Sequence, residues 1–155
     1  MAPWRIGSAI AGIVLVLTYA GGANYWNRQD GWYQTIIKPT WQPPDFIFGI
    51  IWPYNFIVVG LALYNLASQA KPIWVGSAIA FFGASVFFAL RWSYIFYQLH
   101  DLNAAALSLL TTAILTLPLI GITFAHSLKL GLALVPYQIW LFIAAALNFN
   151  FAANN

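Results

Sequence analysis

Cysteine is missing from this chain. Its absence removes disulfides, thiolate metal ligands and cysteine nucleophiles together, and leaves the redox compartment unspecified. Charge is nearly as scarce. Six Lys and Arg and three acidic residues make up 6% of the 155 residues, against roughly a quarter in a soluble domain, whose surface must face water. So few charges can decorate the ends of helices that face lipid, but they cannot solvate a globule. The net charge of +3 gathers into no basic patch able to neutralise a run of phosphates, so nucleic acid is not an expected partner. Carboxylates are missing from the middle of every long apolar run, which leaves a proton-coupled carrier without a relay. His100 and Asp101 share one short loop and His126 lies near another, at the opposite membrane face by helix count, so no metal site or haem-ligating pair is expected.

Apolar and aromatic residues are what the chain does have, at 62% and 18%. A helix needs about 20 mostly apolar residues to cross the hydrocarbon core. Five stretches qualify: Ile6 to Ala23, Phe46 to Leu66, Ile73 to Tyr97, Asn103 to Phe124 and Lys129 to Phe149. A membrane barrel would alternate polar and apolar residues in segments of about ten, and Phe56-Ile57-Val58-Val59-Gly60-Leu61-Ala62-Leu63 does not. The expected fold is therefore all-α: an integral membrane bundle of five transmembrane helices, one domain over residues 1–155. The first stretch follows Arg5 as a signal peptide would, but it reads as a retained helix because no soluble portion follows it. Lys/Arg counts give no orientation, with Arg5, Lys71 and Lys129 set against Arg28, Lys38 and Arg91. Arg91 is read as an end-of-span residue that snorkels, with a substrate counter-ion as the other reading.

Most connections are short. Pro72 suits a helix start, and Asp101 or Asn103 suits an N-cap. The exception is the first loop, about residues 24–45, which holds Trp26, Trp32, Tyr33 and Trp41 along with Pro39, Pro43 and Pro44. Disordered linkers are poor in aromatics, so an ordered lid is expected.

Within the spans, Pro53, Pro118 and Pro136 each remove a helical hydrogen bond and can open a kink. Trp52 and Tyr54 flank Pro53, and Trp140 lies one turn beyond Pro136. Buried indole and phenol groups need partners that lipid does not offer, so these rings should face the bundle interior, either lining a pocket or packing the core. Asn55 and Asn148 are polar groups at depth that either bond across helices or contact a ligand. Gly76, Ala80, Gly83 and Ala84 repeat at three- and four-residue spacing, a stripe on which backbones can approach closely, within the chain or between two copies.

Trp32-Tyr33, Lys38-Pro39-Thr40-Trp41-Gln42-Pro43-Pro44, Phe48 and Trp52 together resemble the tryptophan-rich sensory protein/translocator protein family, once called the peripheral benzodiazepine receptor family. Trp92 with Ile95-Phe96, and Val135-Pro136-Tyr137-Gln138-Ile139-Trp140 followed by Leu147-Asn148, carry the resemblance into the third and fifth spans, so it covers essentially the whole chain. It implies a five-helix bundle, commonly a homodimer, binding porphyrins and benzodiazepine-type ligands in a cavity beneath the first loop. Placed by position, the ligand site would be Trp52 and Trp140, with Tyr54, Phe96, Tyr137, Trp41 and Asn148 as further members. The dimer contact would be Gly76, Ala80, Gly83 and Ala84. No cofactor is implied beyond a porphyrin as ligand; the partners are porphyrin-like or other apolar small molecules and membrane lipid. The location implied is a bacterial cell membrane. The resemblance gives a receptor or sensor as the leading function, with light-dependent protoporphyrin degradation or sterol/tetrapyrrole transport as alternatives. Ala89 and Tyr94 stand where the family often has Asn and Pro, and the bulk of Tyr94 near the pocket would alter ligand preference. The C-terminal Asn148-Phe149-Asn150-Phe151-Ala152-Ala153-Asn154-Asn155 lacks the Tyr and Lys/Arg of the animal cholesterol motif, so sterol recognition there is not expected.

Overall fold

A computed structural model describes residues 2–26 and 31–155, apart from the side chain of Asn24. The elements run α1 (Pro3–Tyr25), α2 (Trp32–Thr35), α3 (Asp45–Gln69), α4 (Pro72–Tyr94), a π-helical turn (Ile95–Leu99), α5 (Leu102–His126) and α6 (Leu128–Asn154). Among the described residues, five helices are long and apolar enough to cross a membrane: Pro3–Ala23, Asp45–Gln69, Pro72–Leu99, Leu102–His126 and Leu128–Asn154. They coincide with the five apolar stretches of the sequence and overrun them by a few residues at most ends. The chain is thus a multi-pass integral membrane protein. Its exposed surface carries Ile13, Val14, Leu17, Ile57, Leu61, Phe87, Ile114 and Ile139, residues that only a lipid solvent would tolerate in such number.

Local chemistry sets the helix ends. Pro72 occupies the first turn of α4, where its missing N–H is not needed. The Asp101 carboxylate accepts from the Ala104 N–H (3.0 Å) and caps α5. Ser127 caps α6 through the Leu130 N–H. Gly31 precedes α2 with φ 82°, a left-handed conformation open to glycine at no steric cost.

The core sits where α5 packs against α4 on one side and α6 on the other, with α1 laid against α3 and α4. Small residues make this closeness possible: Ala62, Ala67, Ala78, Ala105, Ala106 and Ala113 are wholly buried. Hydroxyls join the interfaces where lipid supplies no partner. Ser85 Oγ lies 2.9 Å from Thr116 Oγ1 between α4 and α5, and Gln138 Nε2 donates to the Ala113 carbonyl. The two chain ends mark opposite ends of α3. Arg5 donates to the carbonyl of Ala67 near its C-terminus, while Asn155 holds Ile37, eight residues before its start.

Of the first loop, residues 27–30, Arg28 among them, lie outside the described residues. The rest contains one helical turn, α2, that sequence reading did not anticipate, followed by irregular chain to Pro44 with a turn at Thr40 and Trp41, closed by the Gln42 N–H donating to the Pro39 carbonyl (3.1 Å). It is fastened at several points. Ile36 is buried. Trp32 stacks on His100 with ring centroids 3.9 Å apart, and Lys38 Nζ sits 3.9 Å above the Tyr33 ring. The Asn155 amide grips Ile37 at both ends, accepting from its N–H (2.7 Å) and donating to its carbonyl (3.2 Å).

Candidate functional site: an aromatic cavity beneath the first loop

The five long helices and the first loop enclose a cavity of about 500 Å³. From α1 come Tyr19, Ala20 and Ala23; from α3, Phe48, Gly49, Trp52, Pro53 and Phe56. The end of α4 and its π turn give Trp92, Phe96 and Tyr97, and α6 gives Trp140, Ala144, Leu147, Asn148 and Phe151. Leu109 of α5 and Tyr33 of the loop complete the wall. This volume lies within the range of roughly 300–1,000 Å³ typical of small-molecule sites.

The rings brace one another, some edge to face and some stacked or tilted. Trp52 meets Tyr19 at 5.7 Å and stacks on Phe56 at 5.7 Å, and Phe48 meets Trp140 at 4.9 Å. Trp92 lies 5.7 Å from Phe96 and 6.2 Å from Tyr97. The π turn explains how neighbouring Phe96 and Tyr97 both reach the wall. Its wider loop brings residues five apart onto one face, setting Tyr97 over Trp92, whereas α-helical geometry would carry it well around the helix. Pro53 adds a backbone feature, since it has no N–H to give the carbonyl of Gly49.

Polar groups on the wall are few and mostly satisfied. Trp92 Nε1 donates to Asn148 Oδ1 (2.8 Å), and Asn148 Nδ2 donates to the Ala144 carbonyl (2.9 Å). Asn148 therefore bonds across helices and also faces the cavity. Trp140 is different: it is 5% exposed, and its buried indole N–H has no hydrogen-bond partner among the described residues. At the loop, burial raises the Tyr33 hydroxyl pKa above its usual value, with the Gln42 side chain opposing the rise and Asp45 adding to it. The phenol is consequently neutral, and a donor, at physiological pH.

The residues singled out in the sequence divide cleanly. Trp52, Trp140, Phe96 and Asn148 share the cavity wall; Tyr54, Tyr137 and Trp41 are not on it. Tyr54 is off the wall and donates its hydroxyl to the carbonyl of Ala133 on α6 (2.7 Å). Tyr137 is buried in the core one turn from Trp140, and Trp41 is half-exposed on the loop. Tyr94 also points away, packing on Trp26 at 5.8 Å, so its bulk does not enter the cavity. Arg91 is exposed and donates to the Ser108 hydroxyl between α4 and α5, off the cavity wall. Sequence reasoning did not place Tyr19, Phe48, Tyr97 or Phe151 here, and Tyr33 was assigned only to the lid.

His100 lies two residues before α5 and His126 is its last residue, so the length of α5, about 36 Å by helical rise, separates them. Among the described residues no group of three His, Cys, Asp or Glu side chains could hold a metal ion. Of the small-residue stripe, Gly76 and Ala80 are exposed, while a Cβ on Gly83 would come within 3.7 Å of Leu15 on α1.

Comparison with known proteins agrees with this architecture. The model of the TspO/MBR family matches residues 9–153. The chain is 31% identical over 140 residues to the tryptophan-rich protein TspO of Chlorobaculum tepidum, covering 89% of this chain and 88% of that one. It is 29% identical over 143 residues to the protein of the same name in Archaeoglobus fulgidus, covering 90% and 92%. It is also 27% identical over 122 residues to the tryptophan-rich sensory protein of Cereibacter sphaeroides, covering 79% and 75%.

Proposed function

The chain belongs to the TspO/MBR family, and on that premise we propose that it is a membrane receptor of sensor type, binding porphyrins and similar planar apolar ligands in the cavity beneath its first loop. The observation that carries this reading is the cavity wall itself. Trp52, Trp92, Phe96 and Trp140 offer ring edges and faces around about 500 Å³, and the Trp140 N–H is buried without a hydrogen-bond partner among the described residues. A flat macrocycle gains burial and offset stacking from such rings, the stacking worth about 0.5–1.5 kcal/mol per pair. A polar atom on its edge would satisfy the indole donor. The sensor role rests on the name of the Cereibacter sphaeroides relative, and a contribution to tetrapyrrole transport is part of the same proposal. So are a homodimer and a bacterial cell membrane as its location.

The test is a titration of the chain in lipid nanodiscs with protoporphyrin, anaerobic and in the dark, followed by tryptophan fluorescence. Saturable quenching at one porphyrin per chain is expected. Quenching that only rises linearly with porphyrin partitioning into lipid would refute the binding reading. Illumination of the saturated sample then separates binding from light-dependent degradation, by whether the porphyrin absorption bands decay faster than in nanodiscs with no protein.

A further inference from the structure

The cavity wall carries rings and small apolar residues but, among the described residues, no Lys, Arg, His, Asp or Glu. The Trp140 N–H, unpaired among those residues, suits one neutral acceptor, and nothing on the wall neutralises a carboxylate. A charge taken into such surroundings without a partner of opposite sign is strongly disfavoured. A cation stands just outside, at the loop. Lys38 Nζ lies 3.9 Å from the centroid of the Tyr33 ring, and Tyr33 is the loop's contribution to the wall. The same ring meets Phe96 at 6.1 Å and Phe151 at 6.3 Å, both of them wall residues. One aromatic ring therefore separates the Lys38 ammonium from the cavity.

The backbone at this point is held while the side chain is free to turn. Ile36 is buried, and Asn155 bonds both backbone polar groups of Ile37, so Lys38 leaves a fastened stretch of chain. Its own side chain is exposed, has a flexible stem, and makes no ion pair among the described residues. Other basic groups at this end are engaged: Arg91 donates to Ser108, and His100 lies flat on Trp32. Asp45, at the start of α3, is the carboxylate close enough to act on the Tyr33 hydroxyl. It repels a ligand's anion and leaves Lys38 as the group that receives it. From these contacts we propose that Lys38 is a specificity-determining residue, which meets the acid end of the ligand at the loop while a flat apolar body lies inward among the rings. The ligand class is thus a planar amphiphilic acid, with its carboxylate kept out of the uncharged cavity. This rests on the receptor reading above and adds the charge that the ligand carries.

The test compares protoporphyrin, which carries propionate groups along one edge, with its dimethyl ester, which keeps the ring and loses the charge. Each is titrated in the dark into the full chain in nanodiscs of zwitterionic lipid, with quenching of tryptophan fluorescence as the readout. The chains are the parent, Lys38→Met and Lys38→Glu. For the free acid, Lys38→Met should raise the dissociation constant about two- to fivefold, the range of an exposed ion pair, and Lys38→Glu should raise it further. The ester should bind parent and variants alike. Salt gives a check that needs no variant. Higher ionic strength should weaken the parent's hold on the free acid, relative to partition into protein-free nanodiscs, and leave the ester unaffected. Free-acid constants that ignore both Lys38 and salt would overturn the inference. So would equal losses for acid and ester, since Lys38 would then act only by holding Tyr33 in place. Either result, with saturable binding intact, leaves the receptor reading standing. Failure of both ligands to saturate the parent would refute that reading and this inference with it.

Discussion

Replacing Trp140 by phenylalanine separates the two things this side chain contributes to the cavity. Phenylalanine keeps an aromatic ring against Phe48, which Trp140 meets at 4.9 Å, and deletes only the indole N–H and the second ring. In the free protein that N–H is buried without a partner among the described residues, and an unsatisfied buried donor costs about 1–3 kcal/mol. Its removal offsets much of the burial lost with the smaller ring, so the melting midpoint should move little. In the complex the same N–H is expected to donate to a polar atom of the ligand. Losing that bond costs about 0.5–1.5 kcal/mol, which raises the dissociation constant by about two- to about tenfold. Trp140→Ala should cost more than this, because stacking and burial go as well. The assay is a dark protoporphyrin titration in nanodiscs for the parent, Trp140→Phe and Trp140→Ala, with thermal melts on the same samples. Should Trp140→Phe bind as tightly as the parent, the indole N–H does not face the ligand. Equal affinity in Trp140→Ala would take Trp140 out of the site altogether.

Other outcomes follow from particular contacts. Asn155→Ala removes both hydrogen bonds to Ile37, so amide exchange around residues 36–38 should quicken in the free protein and slow again with saturating porphyrin; unchanged exchange in both states would exclude a lid. Gly131→Ala would put a Cβ 2.5 Å from the Phe124 ring, an overpacking that costs about 1–3 kcal/mol. Gly121→Ala meets nothing within 4 Å and should gain up to about 1 kcal/mol of helix propensity; melts that rank the two alike would contradict the packing of α5 on α6. If two copies associate through the outer face of α4, Ala80→Leu should weaken cross-linking in bilayers. Gly83→Leu should instead destabilise the single chain, because Leu15 lies over it; loss of cross-linking in Gly83→Leu alone would place the contact elsewhere.

Much of the fold was legible because lipid leaves the sequence little choice. A span without water must satisfy its own backbone and present apolar side chains, and the five apolar runs say so without any motif. The caps at Asp101 and Pro72 were readable for equally local reasons. The cavity was only partly legible. Trp52, Trp140, Phe96 and Asn148 were found through the resemblance, but Tyr54 and Tyr137 show its limit. Successive helical residues turn by about 100°, so a side chain two or three positions from a wall residue can face another helix, and the motif does not say which. Tyr97 joined the wall through the π turn, a local change of register that apolar periodicity does not announce. Tyr19 stood in an apolar run with no motif around it, and only the packing of α1 on α3 gives it a role.

Zinc protoporphyrin offers the most direct test of where the ligand sits, since its metal can be located by anomalous scattering. The measurement is diffraction from crystals of the intact chain, grown in a lipid phase with zinc protoporphyrin and recorded at the zinc edge. A single strong anomalous peak inside the bundle, between Trp52 and Trp140 and below Tyr33, is the predicted result. A peak on the lipid-facing surface, with the cavity free of porphyrin density, would contradict the account.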